Sequence, residues 1–330
     1  MKRLVCFGEI MLRLSTPGNQ RFLQARSFDA TYGGAEANVA VAAAGFGLEA
    51  RYVTKLPENL LGDAARNELR RFGVDTSCIA RGGDRLGTYY LETGASMRPS
   101  NVIYDRAGSA IACASPGDFD WDRILDGADW FHFTGITPAL GGNMEAITLE
   151  ACQKARDRGI TVSCDVNYRK KLWSIEKATD VMSRLFDYVD VAINPADVVP
   201  VDTDKPFSVE RCQKMAKYLE QRHNIKTTAF TIRESISASD NGWSAMLYEG
   251  GRFYHSKHYD IRIVDRVGGG DSFSAGLIYG LTAGMGAQNA LEFAVAASAL
   301  KHTITGDYNL ASVQEITTLM GGDGTGRVQR

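Results

Sequence analysis

The stretch DRVGGGDSF, residues 265–273, sets three consecutive glycines directly before an aspartate, and a small, apolar run, SFSAGLIYGLTAG, continues from it with helical character. Consecutive glycines let backbone N–H groups turn inward together and form a nest for an anion. A helix that starts there adds its dipole and its unpaired N–H groups at the same point. Such donors suit a transferred phosphoryl group, whose charge spreads over its equatorial oxygens in the transition state. Asp271 stands beside the nest, where a carboxylate can take the proton of an attacking alcohol. An aspartate that only caps its helix after a glycine turn fits the same nine residues equally well.

A second glycine pair opens YGGAEANVA, where Gly33 and Gly34 precede a small-residue helix carrying Glu36 and Asn38. Glycine admits a ligand close to the backbone, and Asn38 can hydrogen-bond hydroxyl groups. The alanines at 40 and 42–44 read as tight packing on a sheet, a pattern that polar Asn38 interrupts. Other phosphate motifs are missing. The sequence contains no Gly-Lys dipeptide, so it has no P-loop, and FGEIM lacks the G-x-G-x-x-G spacing of a dinucleotide fold. His255 and His258 lie at odd spacing in a strand-like segment, so they face opposite ways and make no metal site.

These residues need a frame. LVCFGE, ARYVTKL, ADWFHFTG, ITVSCDVN, VDVAIN and TTAFTIR read as buried strands, and segments 36–46, 61–72, 144–158, 179–186 and 209–222 have helical spacing. The alternation predicts a parallel sheet covered on both faces, an α/β class fold formed as one domain over residues 1–330. Residues 15–32 and 86–107 break the rhythm. They read as strands of a small antiparallel sheet that forms a lid over a ligand cleft. GGDGTGRVQR, residues 321–330, reads as a mobile tail.

Composition narrows the classes. A chain of 330 residues with 44% hydrophobic and 23% charged residues is ordinary for a soluble protein. A net charge of −2 with no basic run argues against a nucleic acid or membrane surface as partner. Any anionic ligand must then be met by a few placed arginines. Six scattered cysteines without a Cys-x-x-Cys pair indicate free thiols and a reduced, cytoplasmic setting. MKRLVCFGEIML reads as a first strand, because Glu9 breaks its apolar run.

YGGAEANVAVAAAGFG and DRVGGGDSFSAGLIYGL together resemble the two signatures of the ribokinase-like (PfkB) sugar kinases, in the right order and at the right separation. The resemblance implies a three-layer domain with a central, mostly parallel sheet and a small β-sheet lid. It makes Asp271 the catalytic base, and Gly268, Gly269 and Gly270 the anion hole for the phosphoryl group of ATP. Magnesium is implied as well, with a monovalent cation as a further candidate, and pairing of lid strands between subunits implies a homo-oligomer.

Within that family, GTYYLETG, VIYDRAGSA, FTGITPAL, DVNYR and TIRESISASDNGWSA are most similar to the 2-keto-3-deoxygluconate kinase branch. That branch implies transfer to the terminal primary hydroxyl, giving the 6-phosphate. An acidic sugar needs fixed cationic donors, and arginine is the preferred bidentate partner. Arg106 and Arg169 are the candidates, with an ordinary surface ion pair as the competing reading of each. The resemblance adds Gly34, Tyr89, Tyr104 and Asp307 to the substrate contacts, beside Asn38; side chains alternate along a strand, so Tyr90 points away from Tyr89 and is left for packing. For ATP it implies Asn167, Arg169 and a TIRES loop with Arg233 and Ser237, together with Gly268 and Gly270 and an adenine flank from residues 291–300. NPAD stands where the wider family often has Asn-x-x-Glu, which makes Asn194 and Asp197 candidates for holding magnesium through water. A kinase of a neutral sugar such as fructose or ribose, or of another keto-deoxy acid, is the alternative. A non-catalytic sugar-acid sensor is the alternative from another class, and the intact Gly-Gly-Gly-Asp segment argues against it.

Overall fold

In the computed structural model, which describes residues 1–324 and 326, the first strand lies inside the sheet rather than at its edge. The strands are β1 (Arg3–Phe7), β2 (Met11–Ser15), β3 (Asp29–Gly33), β4 (Glu49–Val53), β5 (Lys55–Leu56), β6 (Ala80–Arg81), β7 (Thr88–Glu92) and β8 (Asn101–Asp105). They continue with β9 (Trp130–Thr134), β10 (Thr161–Asp165), β11 (Val191–Ile193), β12 (Thr227–Ser235), β13 (Asp240–Glu249), β14 (Arg252–His255) and β15 (Tyr259–Arg262). The main sheet runs β14-β13-β12-β11-β10-β9-β1-β4, with β15 also paired to β13. From β4 to β12 every neighbour is parallel, and β13 turns the far edge antiparallel.

Helices cover both faces, which is why the parallel strands read as nearly continuous apolar runs. Leu4 and Cys6 of β1 join a core with α1 (Ala35–Gly45), α2 (Leu60–Arg71), α7 (Gly269–Thr282), α8 (Ala287–Lys301) and α9 (Val313–Met320). Val5 and Phe7 face the other way, into a core with α3 (Trp121–Ile124), α4 (Met144–Asp157), α5 (Ile175–Phe186) and α6 (Val209–His223). The alternation along one strand thus divides two cores, as period-two side chains must. The expected three-layer α/β arrangement is present. Helix α5 begins four residues before the expected segment, because the Ser174 hydroxyl accepts the N–H of Lys177 and caps it. Cys6, Cys152, Cys164 and Cys212 are buried free thiols. Among the described residues no helix is long and apolar enough to cross a membrane.

The lid is a separate sheet in the order β3-β2-β7-β8. It differs from the expected boundaries. Residues 16–28 make turns around Pro17 and Gly18, so the strand before β3 is the earlier Met11–Ser15, and β2 pairs in parallel with β7. The expected TIRES loop is also strand. β12 continues through it in register with β13, from Thr231 opposite Ala245 to Ser235 opposite Asn241, and the turn comes after it. Of the tail expected at 321–330, residues 325 and 327–330 lie outside the described residues.

Candidate active site

The carboxyl ends of β1, β10, β11 and β12, the starts of α1 and α7 and the underside of the lid enclose a cavity of about 480 Å³. Ligands bind at this end of an open parallel sheet because strand ends and helix N-termini converge there. Gly34, Asn38, Tyr89, Tyr104, Arg106, Asn167, Arg169, Asn194, Asp197, Arg233, Gly268, Gly269, Gly270, Asp271 and Asp307 all line it. Ser237 does not. Its hydroxyl accepts the N–H groups of Ser239 and Asp240 and shapes the turn after β12.

The three glycines differ in what they require. Gly268 has φ 83°, and a Cβ there would stand 1.9 Å from the Asp307 carbonyl oxygen. A Cβ on Gly269 would stand 2.4 Å from the His302 ring, whereas one on Gly270 meets nothing within 4 Å. The left-handed turn at Gly268 therefore lets α7 begin at Gly269 with its first turn open to the cavity. Asp271 sits in that turn and accepts a 2.6 Å hydrogen bond from Asn38 Nδ2. Its pKa rises to about 7, chiefly through desolvation, with Asp165, Asp307 and Glu36 adding like charge against the lowering by Asn38. Asp165, buried at the end of β10, is held up to about 6 by burial, opposed by Arg169 and a Ser274 hydrogen bond.

Several side chains have duties the sequence did not reveal. Glu9 accepts from Arg106 Nε at 2.7 Å, takes Arg106 Nη2 on the same oxygen, and takes the Ser109 hydroxyl on the other. Arg106 therefore offers a ligand its remaining edge, stacked against Tyr104. Asp307 is already engaged, by Arg13 Nη1 and by the Tyr89 hydroxyl, each at 2.6 Å. That commits the polar end of Tyr89 as well, and Tyr90 packs on Phe28. Asn194, with φ 49°, accepts the N–H and hydroxyl of Thr231, so its oxygen braces β12 and is not free for a metal. Asp197 is exposed at the cavity wall.

Positive charge gathers in the cavity. Arg169, Arg233 and Arg266 line the cavity, and no ion pair among the described residues involves any of them. Arg233 keeps an open edge to solvent, yet its head lies over Trp243 beside Arg266; desolvation first and then that neighbour pull its pKa down to about 10. Glu9, Asp165 and Arg266, which line the cavity, were missed, and so was Arg13, which lies outside it and holds Asp307. For Arg266 the signal was its place inside the quoted glycine stretch, and for Asp165 its place in DVNYR.

Glu36 is a bracket. One of its oxygens accepts the Thr134 N–H, the Thr134 hydroxyl and the Thr137 hydroxyl at 2.6–2.9 Å, tying α1 to the end of β9. Glu36→Leu should orphan those donors and lower stability by about 3 kcal/mol, read by thermal or urea unfolding.

Residues 1–313 match the pfkB family carbohydrate kinases. A solved structure of a 2-dehydro-3-deoxygluconokinase from Thermotoga maritima has TM-score 0.95 and 53% identity, over 97% of this chain and 98% of that one. A 2-dehydro-3-deoxygalactonokinase of Haloferax volcanii is 37% identical, over 97% of each chain. A 2-dehydro-3-deoxygluconokinase of Bacillus subtilis is 27% identical, over 92% of this chain and 90% of its own. With two glycine-led helices meeting at one cavity and relatives matched along nearly its whole length, the chain belongs to the pfkB family of carbohydrate kinases.

Proposed function

We propose that this kinase transfers the γ-phosphoryl group of ATP to the terminal primary hydroxyl of 2-keto-3-deoxy-D-gluconate, giving the 6-phosphate. The observation that carries this reading is the position of Asp271, in one cavity with the start of α7 and with Arg169, Arg233 and Arg266. The names of the relatives from Thermotoga maritima and Bacillus subtilis support the choice of sugar acid.

The sugar acid lies under the lid, its carboxylate toward Arg169 and the free edge of Arg106. Its terminal hydroxyl stands at Asp271, which takes the proton as the oxygen attacks; a base with a pKa near the working pH does this best. Charge on the transferring group is met by the backbone N–H groups of Gly268, Gly269 and Gly270. Arg233 and Arg266 hold the nucleotide phosphates, and Asn167 lies between them and the sugar. A magnesium ion bound to the nucleotide would supply further neutralisation, and the exposed Asp197 carboxylate fits it through water. Edge strand β8, with Ile103 and Tyr104 exposed, is where we place self-association.

A second reading takes the galacto epimer as substrate, favoured by the Haloferax volcanii relative. The test is a coupled assay with ATP, magnesium and both keto-deoxy acids beside fructose and ribose. Turnover confined to keto-deoxy acids is expected. Arg169→Met should raise the sugar-acid KM by about 10- to 100-fold, the value of a hydrogen bond to a charged group. Arg106→Met is the less clean probe, since it strands buried Glu9. Turnover on a neutral sugar alone would overturn the substrate, and binding without turnover would leave a sensor.

A further inference from the structure

Arg13 has no place in the reaction as described and does not line the cavity, yet it joins the lid to the segments that build the anion nest. It lies on lid strand β2 with only 4% of its side chain exposed. Its Nη2 donates to Asp265 Oδ2 and its Nη1 to Asp307 Oδ1, both at 2.6 Å, while Nε donates to Ser15 Oγ at 2.7 Å. Asp265 in turn accepts the N–H of Val267 on one oxygen and that of Gly306 on the other. Asp307 takes the hydroxyl of Tyr89, the partner of Arg13 in the pairing of β2 with β7, and its carbonyl oxygen is the atom against which Gly268 turns. One guanidinium therefore ties lid strand β2 to Asp265, which precedes the left-handed turn that starts α7, and to Asp307, which packs against that turn and also takes Tyr89 of β7.

We propose that Arg13 is a positioning residue for phosphoryl transfer: by clamping Asp265 and Asp307 it sets the sugar held under the lid against the Gly268–Asp271 end of α7. The proposal rests on the reading of Asp271 as the base. Arginine suits the position because its rigid fork binds two carboxylates in fixed directions, which an ammonium group cannot do. The clamp also acts through charge. Asp271 faces Asn38 and Glu36 from α1, Asp165 from β10, Asp307 from the turn after α8 and Lys301 from α8. Arg13 offsets the charge of Asp307, which otherwise bears on Asp271.

The experiment compares Arg13→Lys, Arg13→Gln and Asp271→Asn, with the folded fraction measured by circular dichroism melts. Kcat, sugar-acid KM and the pH profile of kcat are the readouts. Folded Arg13→Lys is expected to lose about 10²-fold in kcat, the cost of misplacing reacting groups by about 1 Å, with sugar-acid KM little changed and the acid limb unmoved. Arg13→Gln, without the charge, should also move the acid limb upward by about one pH unit. A purely structural ion pair predicts neither the split nor the shift. Wild-type kcat in folded variants, or a loss that merely follows the unfolded fraction, overturns the proposal. Should Asp271→Asn retain turnover, the base reading fails by itself, and Arg13 is then decided by the kcat of folded Arg13→Lys. Should neither Arg13 variant fold, Tyr89→Phe loosens the same clamp from the other oxygen of Asp307; a fall in kcat of about 10-fold with sugar-acid KM unchanged supports the proposal, and no fall, or an effect carried mainly by KM, overturns it.

Discussion

Asp271→Asn is expected to lower kcat by about 10³-fold, within the range that a positioned general base supplies. The amide oxygen can still accept from Asn38, so the start of α7 should keep its place. The pH profile makes the test sharper. With a pKa near 7, wild-type Asp271 is protonated and unable to accept a proton below that value, so kcat should rise through about pH 7 and level off above it. The asparagine variant should lose that limb. Stability moves the other way. The folded protein holds the Asp271 proton more tightly than the unfolded chain does, so this residue's contribution is fully present at low pH and is lost as pH rises from about 4 toward 7. At pH 8 the neutral variant escapes that loss and should melt higher than wild type. Turnover close to wild type would remove Asp271 as the base.

Gly268→Ala carries the second large effect. The new methyl group would enter the space of the Asp307 carbonyl oxygen, in a backbone conformation that costs an L-residue about 1–2 kcal/mol before any clash is counted. The loop can answer only by moving Asp307 away or by shifting the first turn of α7. On the proposed role of the glycine N–H groups, either movement separates them from the hydroxyl to be phosphorylated, and a displacement of about 1 Å there is expected to lower kcat about 10²-fold. Gly270→Ala is the informative comparison, since its methyl group meets no atom within 4 Å and its backbone needs no left-handed turn. It should fold as well as wild type, while Gly268→Ala should melt several degrees lower. Equal melting temperatures and equal kcat for the two variants would show that the left-handed turn is dispensable.

What the sequence made legible follows from how local each signal is. The glycine run, Asp271 and the helix after it form one continuous segment, and polar Asn38 breaks an otherwise apolar helix. Strand runs buried on both faces stand out because nothing interrupts them. Arg13 carries no such mark. In MLRLS it looks like the outward residue of a half-buried strand, and only the folded chain brings it to Asp307, 294 positions away. Glu9 is similarly hidden, since its partner Arg106 lies 97 positions on. The lid strand was misplaced because turn residues at 17–18 lie inside a stretch rich in aromatic and apolar side chains. TIRES reads as a loop until its register against β13 is seen.

The bonds that complete the site join early residues to late ones: Asn38 to Asp271 across 233 positions, Arg13 to Asp265 across 252 and to Asp307 across 294. A nascent chain that has emerged through Ser235 holds every parallel strand from β1 to β12, but lacks the Gly268–Asp271 segment and the helices α7, α8 and α9 that complete one of the two cores. Arg13 and Asn38 then wait without their carboxylates, and contacts of such long separation are the slowest to form. With Asp271 as the proposed base, the order of synthesis withholds phosphoryl transfer until α7 and the turn after α8 have docked, and an unfinished chain spends no nucleotide.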